Sequence, residues 1–207
     1  MFSYKTTERI YYKYKEQPWE RPNLTHDGVI GKDYYAASCD SKINDIRTAC
    51  KAFNDASLTG FNEAWGSENN GQEHWILFYS PNPIKASSYT IRNGPTDSNN
   101  YACTSGRIEV SNNGKDWEIE TEFTNTLYTG NGYWDINVSN PIYAKYRKFV
   151  STSSRYNGNY VYFANISFND AYIKIPQIAS KLDYDFYEDK DIQSLPQFNE
   201  LYYGIGD

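Results

Sequence analysis

At 207 residues the chain is sized for one ordinary domain with extensions, and it can bury a core without disulfide or metal staples. A net charge of -6 and a pI near 5.0 argue against nucleic acid as a partner, because phosphate affinity comes from clustered Lys and Arg. No stretch approaches the roughly 18 apolar residues of a membrane span, and Met1 to Lys5 leads into no apolar signal core, so a soluble protein without a secretion route of its own is expected.

Residues 1–30 read as an N-terminal arm with an edge strand: Tyr11-Tyr12-Lys13-Tyr14-Lys15 alternates, then Pro18, Pro22 and the turn signal Asp27-Gly28 follow. Between Asn44 and Phe53 the period changes. Ile46, Ala49, Cys50 and Phe53 fall at i, i+3, i+4 and i+7, which predicts one short helix capped by Asn44 or Asp45. Trp75 to Tyr79 is a nearly unbroken apolar run, expected to be a central strand that ends in a turn at Ser80-Pro81-Asn82-Pro83. Ile84 to Arg92 is the next strand, followed by a polar, glycine-containing loop from Asn93 to Gly106.

Ile108 and Val110 then alternate with polar residues up to an Asn113-Gly114 reversal. Trp117, Ile119, Thr121 and Phe123 take one face of the following strand, and Glu118, Glu120 and Glu122 are expected on the solvated other. Trp134, Ile136 and Val138, the segment from Tyr143 to Val150, and Tyr160 to Phe168 supply further strands. Residues 176–207 are rich in Asp and Tyr and keep no strand period, which predicts a C-terminal extension. Many short strands joined by turns, with one short helix, predict an all-β sandwich or jelly roll over residues 31–175.

The chemistry-bearing residues are sparse. Cys39, Cys50 and Cys103 are odd in number and lack CxxC spacing, so buried free thiols are expected. His26 and His74 are the two histidines, and no GxSxG, HExxH or phosphate-cradling loop accompanies them. The glutamate row belongs to a strand face, and no spacing isolates a pair of carboxylates across a cleft. The sequence therefore predicts a protein that does not catalyse.

Read in order, Ala52-Phe53-Asn54-Asp55, Trp65, Trp75-Ile76, Ser111-Asn112-Asn113-Gly114-Lys115-Asp116-Trp117 and Tyr146-Arg147 resemble the discoidin or F5/8 type C family, a galactose-binding-like jelly roll, in the form found in bacteriophage tail-fibre and other virion proteins. The resemblance implies that Phe53, Trp75 and Trp117 anchor the core. It also implies a calcium loop, whose positions here are Asn54, Asp55, Ser57, Thr59 and Asn165. The family's early aspartate has become Asn54 and its late glutamate Asn165. A hard cation wants about 6–8 oxygens with carboxylates among them, so the loss of two charges weakens the site, and no cofactor is expected.

In relatives that bind sugar, the family's loops at one end of the sandwich present an aromatic face between amide and guanidinium groups. The matching candidates for glycan contact are Asn99, Tyr101, Tyr128, Tyr133, Arg155, Tyr156 and Asn157. The resemblance thus implies a non-enzymatic virion surface protein, made in the host cytoplasm and oligomeric in the particle. It would bind host-surface glycan and attach to other virion proteins through its two arms. An auxiliary capsid or tail decoration protein, and a carbohydrate-binding module of a polysaccharide-degrading system, are the alternatives.

Overall fold

The computed structural model describes residues 8–24, 27, 35–54, 63–93, 101–125, 132–155, 160–179 and 201–203. Their contacts separate two bodies, Gln17–Ile173 and the chain ends Met1–Glu16 with Lys174–Asp207. The strands are β1 (Glu8–Pro18), β2 (Ala36–Cys39), β3 (Trp65–Gly66), β4 (His74–Lys85), β5 (Ser88–Asn93) and β6 (Cys103–Ser111), then β7 (Glu118–Thr124), β8 (Tyr133–Asn137), β9 (Ala144–Ser154), β10 (Tyr162–Asn169), β11 (Tyr172–Ala179) and β12 (Leu201–Tyr203). Within the body formed by the chain ends, β12 runs antiparallel to β1, with Glu8 opposite Tyr203.

In the main body β4, β9, β6 and β7 lie side by side and antiparallel, while β2 and the first residues of β11 pair with β4 on its other flank. A second antiparallel sheet has the order β3-β10-β5-β8. Alternation places Ile76, Phe78, Ile108, Val110 and Phe149 of the first sheet and Tyr89, Ile91, Ile166 and Ile136 of the second in the buried interior. Phe78 meets Phe53 and Phe168 at 5.1 Å between ring centroids, and Tyr89 meets Phe149 edge-on at 5.3 Å. Trp19 belongs to this body too, packed edge-on against Phe168 at 5.5 Å. The result is the β-sandwich that the turn spacing predicts.

Four local expectations need correction. The helix shrinks to a single 3-10 turn, Ala49–Phe53, and Ile46 is exposed. Asn44 does cap, accepting from the Ile46 and Arg47 amides at 3.1 Å, but it closes a separate turn. The helix itself is capped from a distance by Asp27, whose carboxylate accepts from the Ala49 and Cys50 amides at 3.2 and 2.6 Å. Secondly, β4 does not end at the prolines. Pairs Tyr79–Tyr146 and Ile84–Ala144 bracket a register shift that lets out the residues unable to serve the ladder, after which the strand resumes.

Thirdly, Phe53 is core but Trp75 and Trp117 are not. They lie half-buried with Tyr146 against Leu77 and Tyr79 in a satellite cluster on the outer face of β4 and β9. The Lys148 ammonium sits 3.8 Å from the Trp117 ring centroid and 5.6 Å from that of Trp75, and it bonds Glu109 at 3.1 Å.

Fourthly, Glu120 is not on a wet face. Ile108 pairs with Thr121 and its neighbour Glu109 pairs with Ile119, so Glu120 is the extra residue of a β-bulge. The bulge turns its side chain inward, where it is wholly buried, and leaves Ile119 exposed. Inside, Glu120 meets the buried Arg147 of β9. Arg147 Nη2 lies 3.4 Å from Glu120 Oε1, and its Nε donates to the Tyr89 hydroxyl at 2.6 Å. Its Nη groups also donate to the carbonyls of Ala144, Ile84 and Ile142 at 3.1, 2.7 and 2.7 Å. Tyr89 donates onward to Glu120 Oε2 at 2.6 Å, and the Ile142 amide donates to Oε1 at 3.0 Å. Burial, opposed by the Arg147 charge, keeps the Tyr89 phenol protonated far above its usual range. A guanidinium thus ties β9, β7 and β5 together across the sandwich.

Candidate functional site

Register decides which candidates can meet. Arg92 opposes Tyr133, Asn93 opposes Phe163, Ser105 opposes Thr124 and Cys103 opposes Ser154, so the ends of β5, β7 and β9 and the starts of β6, β8 and β10 share one end of the sandwich. Of the sequence candidates, Tyr101, Tyr133 and Arg155 fall at this end. Asn99, Tyr128, Tyr156 and Asn157 lie outside the described residues, as do Asp55, Ser57 and Thr59.

Tyr101 and Arg155 are brought together, because the Arg155 amide donates to the Ala102 carbonyl at 3.0 Å. The Tyr101 ring is half-buried edge-on against Tyr160 and Tyr162, at 4.7 and 5.2 Å. The Tyr160 and Tyr162 hydroxyls bond each other. The Arg47 guanidinium donates to the Tyr160 hydroxyl at 3.3 Å and covers the Tyr162 ring at 4.9 Å. Burial raises the Tyr160 pKa although Arg47 opposes the shift. Tyr101 therefore spends much of its ring on internal packing. Tyr133 is different: it is 60% exposed, with the Arg92 guanidinium 5.4 Å from its centroid. An open aromatic face beside a guanidinium suits a ligand with both C–H faces and hydroxyls.

On the outer face of β6, β7 and β9 the sequence reading missed a cleft of about 350 Å³ lined by Ser105, Gly106, Arg107, Glu122, Phe123, Thr124 and Thr152. Its hydroxyls are held in pairs, Ser105 Oγ to Thr152 Oγ1 at 3.0 Å and, beside them, Thr104 Oγ1 to Ser153 Oγ at 2.9 Å. Arg107 is fixed by Glu73, at 3.0 and 3.2 Å, and by Glu109 at 2.7 Å. Hydrogen bonding to Glu73 holds the guanidinium pKa up; burial pushes the Glu109 carboxyl up, but its bonds to Arg107 and Lys148 outweigh that and leave it lowered. Gly106 is not in a loop, as the sequence suggests, but inside β6. A Cβ there would stand 2.0 Å from the Val150 carbonyl and 2.6 Å from the Phe123 ring. The runs Thr104-Ser105 and Ser151 to Ser154 were the available sequence signal.

His74 gives no catalytic relay. It is wholly buried, and its Nδ1 lies 2.7 Å from Asp40 Oδ2 and 2.9 Å from Ser41 Oγ. A serine relay needs the hydroxyl on the ring nitrogen opposite the carboxylate, whereas here both sit at one nitrogen. Among the described residues, His74 Nε2, both amide atoms of Asn93 and Trp134 Nε1 are buried at this end without a protein partner. The three thiols are free, as the spacing predicts, and burial lifts Cys39 to about 11 and Cys103 to about 12.

The two implied calcium positions that are described, Asn54 and Asn165, do not fit a hard cation. Asn165 Nδ2 donates to the Asn54 carbonyl at 2.8 Å, and Ser167 Oγ donates to Asn165 Oδ1 at 2.9 Å. A carbonyl oxygen only accepts, so the amide must turn its NH2 toward Asn54. The Phe53 carbonyl accepts from the Leu24 amide at 3.1 Å and from the Arg21 guanidinium. N–H groups, one of them cationic, stand where a hard cation would need oxygens. Among the described residues no cluster of His, Cys, Asp or Glu could hold a metal ion.

Comparison with known proteins places this geometry. The F5/8 type C domain family matches residues 36–166. Among curated proteins none matches the sequence. The family 32 carbohydrate-binding module of Clostridium perfringens NanJ, solved with galactose, superposes with a TM-score of 0.53 at 22% identity, covering 67% of this chain and 93% of the module. CpGH89CBM32-5 of the same organism, solved with GalNAc-β-1,3-galactose, gives 0.56 at 15% identity over 65% and 94%. The third family 32 module of a family 31 glycoside hydrolase from C. perfringens gives 0.53 at 18% identity over 64% and 87%.

Proposed function

The chain belongs to the F5/8 type C domain family, and from that membership we propose that it is a non-enzymatic module that binds carbohydrate at the loop end of its sandwich. The observation that carries the reading is Tyr133, an aromatic ring 60% open to solvent at the end where the hydroxyl-lined cleft lies. A pyranose ring would stack its C–H face on Tyr133, and its hydroxyls would meet the Arg92 guanidinium beside that ring. The galactose and GalNAc-galactose held by two solved neighbours make galactosides the first class to test.

The test is a galactoside-containing glycan array followed by calorimetry. Tyr133→Ala should weaken binding about tenfold or more, a cost of roughly 1.4 kcal/mol, while leaving the melting temperature unchanged. Unaltered affinity in that variant would remove Tyr133 from the site. No binding by the unaltered chain to any glycan would remove the reading itself.

The finer part of the proposal is the setting. Display on a bacteriophage particle is supported by the form of the Ser111 to Trp117 motif, with residues 1–30 and 176–207 as the segments that dock on other virion proteins. A module of a polysaccharide-degrading system is the second reading, favoured by the neighbour that belongs to a glycoside hydrolase. Mass spectrometry of purified particles decides between them: the chain should be present in stoichiometric amounts on the first reading and absent on the second.

A further inference from the structure

We propose that in this chain protein N–H groups take the place of a metal ion after the 3-10 turn: the Asn165 amide and the Arg21 guanidinium hold the carbonyls of Asn54 and Phe53, making the fold independent of calcium. Two independent contacts support this. The Asn165 amide joins β10 to the residue that follows the turn at 2.8 Å, and its direction is fixed because the partner atom is the Asn54 backbone carbonyl, which can only accept. Arg21 comes from the other side of the chain and brings a permanent positive charge to the adjacent carbonyl of Phe53, where it also donates to Pro22 at 3.2 Å.

A divalent cation at this place would have to displace the amide, rotate Asn165 against its Ser167 bond, and sit near the Arg21 charge. Each requirement opposes binding. The same contacts do for the backbone what a cation does elsewhere. They satisfy carbonyls left over at the end of a helical turn and pin them to neighbouring segments. Phe53, buried in the aromatic lattice beside these carbonyls, links their position to the core.

The test is thermal unfolding of the full chain in millimolar calcium and in chelator. The unaltered chain should melt at the same temperature in both. Asn165→Ala and Arg21→Met should each lower the melting temperature by about 2–6 °C, with calcium restoring neither. A rise of the unaltered chain's melting temperature with calcium, or an unchanged melting temperature in either variant, overturns the proposal. Should a variant fail to fold, calorimetric titration of calcium into the unaltered chain decides: heat of binding at this site, abolished by Asn165→Asp or raised by it, overturns the proposal, and absence of binding upholds it.

Discussion

In the middle of the sandwich Arg147 and Glu120 are sealed from water and bonded on all sides by Tyr89, Ile142 and three carbonyls. At the loop end, by contrast, Tyr133 stands open, Ser105 and Thr152 line a cleft, and the buried Asn93 amide has no partner among the described residues. Both regions interrupt the strand period. The Glu120 bulge feeds a carboxylate to the interior network, and the register shifts of β6 and β9 between Cys103 and Gly106 spread hydroxyls around the cleft. The difference teaches where this domain spends its polar groups: in the middle they fix one packing of the two sheets, and at the end they are left able to meet something else.

The strongest way to break the contrast is at its centre. Arg147→Met should cost about 3–5 kcal/mol in urea unfolding, because Glu120 would remain as an uncompensated buried carboxylate. Combining it with Glu120→Gln should recover a large part of that loss. A purely local packing defect would show no recovery. Gly106→Ala tests the scaffold beneath the cleft. A Cβ pressed against the Val150 carbonyl should cost about 1–3 kcal/mol in the same unfolding measurement.

Cys103 gives the smallest and most selective probe. Burial raises the folded-state thiol from 9.0 to about 12, so between those values the unfolded chain has lost the proton that the folded chain keeps. Stability must therefore fall as pH rises from 9 toward 12, by at most about 1.4 kcal/mol per pH unit from this group. The alkaline slope should flatten in Cys103→Ala relative to the unaltered chain. Equal slopes in both would mean that the thiol is not sealed.

Much of the fold was legible because Ile108, Val110, Trp134 and Ile136 keep an unbroken period of two, and because Gly114, at φ 73°, makes the reversal that an asparagine-glycine step favours. Glu120 was not legible. A bulge shifts the period without changing composition, and nothing local distinguishes Glu120 from Glu118 or Glu122. Trp75 and Trp117 were misplaced because a large aromatic signals burial but not which face of a sheet provides it. At the site, Tyr133 could be picked out from its amide-rich surroundings. The cleft could not, since it is assembled from β6, β7 and β9, which become neighbours only through the sheet order.

The Glu120 bulge acts beyond the interior as well. Among the described residues β7 closes its sheet on one side and pairs with β6 alone, so its outer rim is a row of backbone groups on which another molecule's strand could grow. Exposed Glu118 and Glu122 put negative charge along that rim, and the extra residue between them kinks it out of register. The edge is thereby guarded against pairing with a strand of another molecule.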